Sequence, residues 1–420
     1  MQSFENKIQS AISAGNIPGA VTVASNKTGV VSPGSFSYSK AHGLRSLKTG
    51  ASEPLKTDSV FWIASCTKLL TAICALQCVE RLQFTLDEDV ARLLPELKDL
   101  EIIQGFDPES GTPKLVKATK YITLRQLLTH TSGLAYDKFT PELIQWRASR
   151  SETASLTAGT IVHRYRTPLM FEPGEAFQYS PGLDWAGKMI ERANKMTLEQ
   201  YMQRYIMAPL NLEDLTFHIE KHPSLISRCV DMASREGGET RFGTAANPTG
   251  AVVYSEDKVW TQDQTDDCGG IGAYITMPSY QKIVHGITVS DGVLLSPEMN
   301  SELFRGQLSD RQLTTVRAVL QVDDMRAVMA PGLAKDTKVD YALGGMVVLE
   351  DIRGGRRNGT MHWGGLPNLA WWADRESGVS GVYGSQLVPP GDKQTCEMFG
   401  EFEKAVYAEV AKLYAEVGKL

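Results

Sequence analysis

The sequence contains no apolar run near the ~18 residues that a membrane-spanning helix requires, and it has no low-complexity tract. Positive charge is not in excess: the formal net charge is −6. That balance leaves no footprint for nucleic acid, and an acidic partner would need a local basic patch. Histidine is scarce, at 7 residues. The six cysteines, Cys66, Cys74, Cys78, Cys229, Cys268 and Cys396, show neither paired spacing nor accompanying histidines. Their pattern argues against a zinc framework and for reduced thiols in a cytoplasmic protein. The opening Met1-Gln-Ser-Phe-Glu-Asn-Lys-Ile-Gln-Ser10 is polar and amphipathic, so no secretory leader is expected.

What is present is ordinary for a folded chain: 420 residues, 42% hydrophobic and 22% charged. Such a length buries a large core and predicts two closely joined subdomains. Residues 4–14 read as a helix, and Ala20–Ser25 and Ser35–His42 as strands. From Leu86 to about Leu212 the pattern is mostly helical, including Ile122–His130, Glu142–Arg147, Ser155–Tyr165, Leu183–Ala193 and Leu198–Ile206. A helix is expected near 279–287. Strands return at Tyr341–Glu350, Thr360–Gly364, Leu369–Ala373 and Val379–Gly384. A last helix carries the stripe Phe399, Phe402, Val406, Val410, Leu413 and Val417. The expected fold class is α/β of the α+β type. Residues 1–62 and 268–420 would build one sheet from both termini, and 63–267 a mainly helical part. The junction is where a pocket belongs.

Ser65 and Lys68, in Phe61-Trp-Ile-Ala-Ser-Cys-Thr-Lys-Leu-Leu70, form a Ser-x-x-Lys that opens an apolar helix. On a helix that spacing puts both side chains on one face, and the pair is a known serine nucleophile without histidine. Ser37, Ser255 and Ser279 also have a lysine three places on. Ser37 lies in an alternating stretch, where positions three apart point to opposite faces. Ser255 sits among Glu256, Asp257 and Lys258 in a polar loop, and Ser279 follows Pro278 as a helix N-cap. Only Ser65 heads a long apolar helix, with Leu69, Leu70, Ile73, Leu76 and Val79 inside it. The plainer alternative is that Ser65 is itself an N-cap.

A Ser/Lys pair needs a third group to carry protons. Tyr179, in Ala176-Phe-Gln-Tyr-Ser-Pro181 before a helix, is the candidate, with simple packing at a helix entry as the alternative. A free phenol titrates near about 10, and a lysine ammonium within a few ångströms lowers such a value. The stretch His362-Trp-Gly-Gly-Leu-Pro-Asn368 brings bare glycines to a late strand. There the Gly365 N–H, with the N–H of Ser65, would make a two-donor oxyanion hole. His362 reads equally as wall or catalyst. His362, Trp363, Gly364, Trp371 and Phe177 are the expected substrate-binding residues, and Trp62 and Trp372 add to the aromatic surroundings.

Ser65-Cys-Thr-Lys68, Tyr179-Ser-Pro181 and His362-Trp-Gly364 follow the order of the Ser-x-x-Lys, Tyr-x-Asn and Lys-Thr-Gly motifs of the class C β-lactamase-like superfamily of serine hydrolases and transesterases. Thr123-Leu-Arg-Gln-Leu-Leu-Thr-His-Thr-Ser-Gly-Leu134, Pro209-Leu-Asn-Leu212 and Gly269-Gly-Ile-Gly272 also resemble stretches typical of it. Ile17-Pro-Gly-Ala20, Leu183-Asp-Trp-Ala-Gly-Lys188 and Pro367-Asn-Leu-Ala-Trp371 resemble its branch of fungal lovastatin-type acyltransferases. Pro181 and His362 depart from the asparagine and lysine with which β-lactam-handling relatives grip their substrate. β-Lactam hydrolysis is therefore not expected.

The resemblance implies a central antiparallel sheet flanked by helices and a largely helical insertion. It implies an acyl-enzyme on Ser65, protons managed by Lys68 and Tyr179, and no metal or redox cofactor. The donor would be an acyl thioester, in some relatives on an acyl carrier protein, and the acceptor a small-molecule alcohol of polyketide type. Two other readings stand beside it: a carboxylesterase using the same residues, and a non-catalytic binding scaffold. The turn Arg353-Gly-Gly-Arg-Arg-Asn-Gly359 either steers an acidic carrier protein or is simply solvated.

Overall fold

The computed structural model describes residues 1–27, 34–237, 240–241, 244–245, 247, 249–256, 259–261 and 263–417. The elements that place the site begin with α1 (Gln2–Ser13), β1 (Gly19–Asn26), β2 (Ser37–Gly43) and α2 (Thr67–Glu80). The helices α3 (Gly182–Asn194), α4 (Met277–Val289) and α5 (Asp323–Met329) follow. Strands β3 (Val339–Tyr341), β4 (Met346–Val348), β5 (Met361–Gly365), β6 (Leu369–Asp374) and β7 (Val379–Gly384) lead to α6 (Lys393–Val417).

Seven of these strands form one antiparallel sheet in the order β3-β4-β5-β6-β7-β1-β2, so strands from both ends of the sequence meet at the β7–β1 pair. The register there sets Val23 against Val382. β1 is buried along nearly its whole length because both faces are covered. Its alternate residues serve two cores: Ala20 and Ala24 face Phe4, Phe399 and Phe402 of α1 and α6, while Val21 and Val23 join the main core with α4. The inner stripe of α6 is buried from Phe399 to Val410. The side chain of Val417 lies outside the described residues.

α2 is apolar all round, as a helix at the centre of a core must be. Leu69, Leu70, Ile73 and Leu76 are fully buried, each worth about 1.5–3 kcal/mol of transfer free energy. The helix packs against α3, and the turn Ala64–Cys66 that precedes it packs against β5.

Several elements differ from the sequence expectation. Tyr341–Glu350 is two strands, β3 and β4, turned back at Gly344-Gly345, where the Ala342 N–H donates to the Gly345 carbonyl at 2.8 Å. Inside the stretch read as helical, Glu101–Phe106 and Pro113–Lys117 pair as a hairpin. Its turn is set by Asp107, whose Oδ1 accepts from the N–H groups of Glu109 at 3.1 Å and Ser110 at 2.9 Å. Of 155–165 only Ile161–Tyr165 is helical, capped by Thr160. The helix from Leu198 gives way to a π turn at Gln203–Met207. Helices at Pro297–Phe304, Asp310–Leu320 and α5 were not expected, although Ser296 and Ser309 cap the first two in the ordinary way. Ser279 does not cap α4; Thr276 does, its hydroxyl accepting from the Ser279 N–H. Asp257 and Lys258 lie outside the described residues. Among the described residues no helix is long and apolar enough to cross a membrane, and all six cysteines are free.

Candidate active site

The strand Val60–Trp62 pairs with Tyr274–Thr276, and the Ile63 N–H donates to the Ala273 carbonyl at 3.0 Å. The chain then turns sharply. Ala64 sits at φ 44°, a left-handed conformation that costs a non-glycine residue roughly 1–3 kcal/mol. One 3₁₀ turn, Ala64–Cys66, delivers Ser65 to a partly exposed position before α2 begins at Thr67. The cap position of α2 is Cys66, without a side-chain cap bond, so the N-cap reading of Ser65 does not hold.

Lys68 lies one turn on and is 2% exposed. Its Nζ donates to Ser65 Oγ at 3.2 Å, to the Tyr136 hydroxyl at 3.2 Å and to the Gly270 carbonyl at 2.7 Å. The Tyr179 hydroxyl is 2.8 Å from Ser65 Oγ on another side, and Lys68 Nζ stands 4.7 Å from the centre of the Tyr179 ring. Tyr179, 114 positions from Ser65 in sequence, thus meets the local Ser65–Lys68 pair at one oxygen.

Aromatic packing fixes Tyr179. Its ring lies 4.6 Å from that of His130, 5.5 Å from Trp363 and 5.8 Å from Tyr136. His130 is fully buried between Ser180 Oγ at 3.0 Å and the Tyr341 hydroxyl at 3.2 Å. Burial, with the Lys68 charge nearby, holds its pKa well below the usual histidine value, so it is neutral.

Gly365 ends β5 against the nucleophile segment. A Cβ there would stand 2.5 Å from the Ile63 carbonyl oxygen and 3.4 Å from Cys66 Sγ, so only glycine permits the approach. Trp363 and Gly364 line the same cleft.

Three expected pocket residues stand behind that lining. His362 faces the opposite side of β5 from Trp363, on the face that carries Trp372, because alternate residues of a strand point opposite ways. Burial and the Arg356 charge hold its pKa well below normal. Trp371, opposite Trp363, is buried in the main core, and Phe177 packs behind Tyr179 on His130 and Tyr341. The arginine turn also departs from its steering role. Arg356 is buried and bidentate to Glu403 at 2.7 and 2.9 Å, and neither it nor Arg353 nor Arg357 lines the cleft.

Sequence reasoning missed Tyr136, Asp184 and the carbonyl of Gly270. Tyr136 has no motif spacing to mark it. Asp184 lies in a stretch read as a helix and noted for its resemblance, Gly270 in one noted for its resemblance, and neither was singled out. The cleft extends from Ser65 past Gly364 and Gly365 to Met325, Val328 and Met329 of α5, and to Cys396 and Phe399 of α6. Its far end is therefore apolar. Among the described residues, Glu199, His218 and Asp267 have ligand-type atoms close enough to share an ion. They are engaged with one another and with backbone N–H groups, and none lines the cleft.

The β-lactamase family profile matches residues 4–399. Monacolin J acid methylbutanoyltransferase of Aspergillus terreus is 33% identical over 412 residues, covering 97% of this chain and 95% of that protein. Lovastatin esterase of Penicillium rubens is 34% identical over 389 residues, covering 93% and 94%. A mutant of simvastatin synthase from Aspergillus terreus superposes with a TM-score of 0.87 at 33% identity, covering 98% of this chain and 97% of that one. The strained turn at Ala64, the Ser-x-x-Lys and the glycine strand all fall inside the matched span, and the chain belongs to the β-lactamase family as a serine enzyme of its acyltransferase and esterase type.

Proposed function

We propose that the protein is an acyltransferase that moves an acyl group from a thioester, through an ester on Ser65, to the hydroxyl of a polyketide-type small molecule. The observation that carries this reading is the convergence of Lys68 Nζ and the Tyr179 hydroxyl on Ser65 Oγ at the mouth of an apolar cleft. Ser65 Oγ adds to the donor carbonyl, its proton passes to the Lys68–Tyr179 pair, and the C–S bond breaks as the thiol leaves with a proton. The N–H groups of Ser65 and Gly365 are assigned to the carbonyl oxygen as it gains charge. The acceptor hydroxyl then gives its proton to Tyr179 and takes the acyl group, and Ser65 regains a proton.

The names of the statin-pathway acyltransferases among the relatives support an apolar polycyclic acceptor, and the apolar far end of the cleft is suited to one. Delivery of the donor by an acyl carrier protein belongs to the same reading. With Arg356 held by Glu403, its docking contact is sought elsewhere than that side chain. Trp363 and Gly364 are assigned to substrate contact, and His362, Trp371 and Phe177 to support behind the wall.

The relative named lovastatin esterase favours a second reading, in which water takes the acyl group. One experiment separates them. Intact-protein mass spectrometry after incubation with short acyl thioesters is expected to show a single acyl adduct, absent in Ser65→Ala, that an added alcohol discharges as ester. Mainly free acid at saturating alcohol favours the esterase. Absence of any adduct from the unmodified enzyme overturns both.

A further inference from the structure

An ammonium has three N–H donors and no acceptor. Those of Lys68 are all engaged, on Ser65 Oγ, on the Tyr136 hydroxyl and on the Gly270 carbonyl. Two of the three lead to one residue. The Tyr136 hydroxyl is 3.5 Å from Asp184 Oδ2, and the N–H of Gly270 donates to Asp184 Oδ1 at 3.0 Å. Gly270 thus accepts from Lys68 on one side and donates to Asp184 on the other. A Cβ at Gly270 would lie 2.3 Å from Asp184 Oδ2 and 3.1 Å from the Tyr136 oxygen, so the approach of the carboxylate requires a glycine there. Asp184 itself is fully buried, in the first turn of α3, where the helix dipole favours a negative charge.

We infer that Asp184 is a positioning residue for acyl transfer: its carboxylate is the buried counter-charge of Lys68, reached through the Tyr136 hydroxyl and the Gly270 peptide. The inference rests on the reading of Ser65 as nucleophile. The groups that face Asp184 and Tyr136 are Lys68, Arg164, Tyr165, Tyr179 and Cys268. Arg164 is engaged with Gln264 Oε1 at 3.3 Å and Cys268 Sγ at 2.9 Å, so the second cation nearby makes its own bonds elsewhere. Burial raises the Asp184 carboxyl, while Lys68, the Gly270 amide and Arg164 oppose that rise. Without the carboxylate, the site as a whole holds a proton less tightly, and the group that acts on Ser65 Oγ is a weaker base.

The test reads the stopped-flow acylation burst with p-nitrophenyl butyrate as a function of pH. Asp184→Asn keeps an oxygen for the Gly270 N–H and removes the charge. Its acid limb should move to lower pH by about one unit, with the plateau burst rate falling several-fold and substrate affinity held. Tyr136→Phe should move the limb in the same direction, and the double variant should be little worse than either single one. A pH profile for Asp184→Asn that superimposes on that of the unmodified enzyme overturns the inference. If that variant does not fold, Tyr136→Phe decides alone by the same criterion. No burst from the unmodified enzyme sinks the Ser65 reading instead, which keeps the two failures apart.

Discussion

Lys68 and Arg356 are both buried cations, at 2% and 1% exposure, yet they are held in opposite ways. Arg356 meets Glu403 directly and bidentately, at 2.7 and 2.9 Å. Among the described residues Lys68 meets no carboxylate directly. A hydroxyl and a peptide stand between it and Asp184, and its third hydrogen is spent on Ser65. Direct pairing in low dielectric fixes a charge, and arginine keeps its proton in any case. Indirect pairing leaves one N–H of Lys68 for Ser65 Oγ, at the cost of a less complete counter-charge. The first arrangement ties the turn before β5 to α6. The second can carry chemistry.

The comparison breaks first at Ser65. Ser65→Ala should lower acylation at least about a thousandfold, while thermal unfolding changes little, since Ser65 supplies no cap to α2. Turnover by a folded variant would remove the reason for the Lys68 arrangement. Lys68→Ala and Tyr179→Phe come next. Each should cost roughly a hundredfold or more, and the pair together little more, because both act on one oxygen. Multiplicative losses would show two separate proton paths.

Arg356 should behave in the reverse manner. Arg356→Leu leaves Glu403 buried without its partner and should cost about 3–5 kcal/mol of stability, read as a lower urea midpoint at unchanged slope. The folded fraction should acylate at the normal rate. Arg356→Met combined with Glu403→Leu should recover most of the loss. A slowed burst in a variant of normal stability would show that the two buried cations are not separate in function.

The extent to which the site could be read in the sequence follows the same division. Ser65 and Lys68 were legible because helical spacing fixes their geometry locally. The sheet was legible because β1, β6 and β7 are short apolar runs between turns. Tyr136 and Asp184 were not, because their meeting with Lys68 depends on how α2, α3 and the Gly269-Gly270 turn cross, and no local pattern reports a crossing. His362 was misplaced toward the cleft because the facing of a strand is decided by register: the Trp363 side chain turns to the cleft, so that of His362 points the other way. The hairpin at Glu101–Lys117 carried its signal in the Asp107 turn, where the helical reading of the surroundings hid it.

The smallest expected effect comes from a third kind of pairing, direct but titratable. His218 Nε2 lies 2.8 Å from Asp267 Oδ1. That bond raises the His218 pKa above its ordinary value, against the opposing effect of burial. Asp267 is lowered by His218 and by the Glu199 N–H, although burial acts against both. A histidine raised on folding stabilises fully below its unfolded pKa, near about 6.5, and the contribution is lost as pH climbs through the folded value. The lowered carboxylate contributes above its own unfolded pKa, near about 3.9, and loses that as pH falls through the folded value. The pair therefore stabilises most between those limits, in mildly acidic solution. His218→Gln should lower the unfolding midpoint more at pH 5.5 than at pH 9, and the acylation burst should be untouched, since neither residue lines the cleft. An equal loss at both pH values would mean that packing of the ring, and not its charge, is what the position supplies.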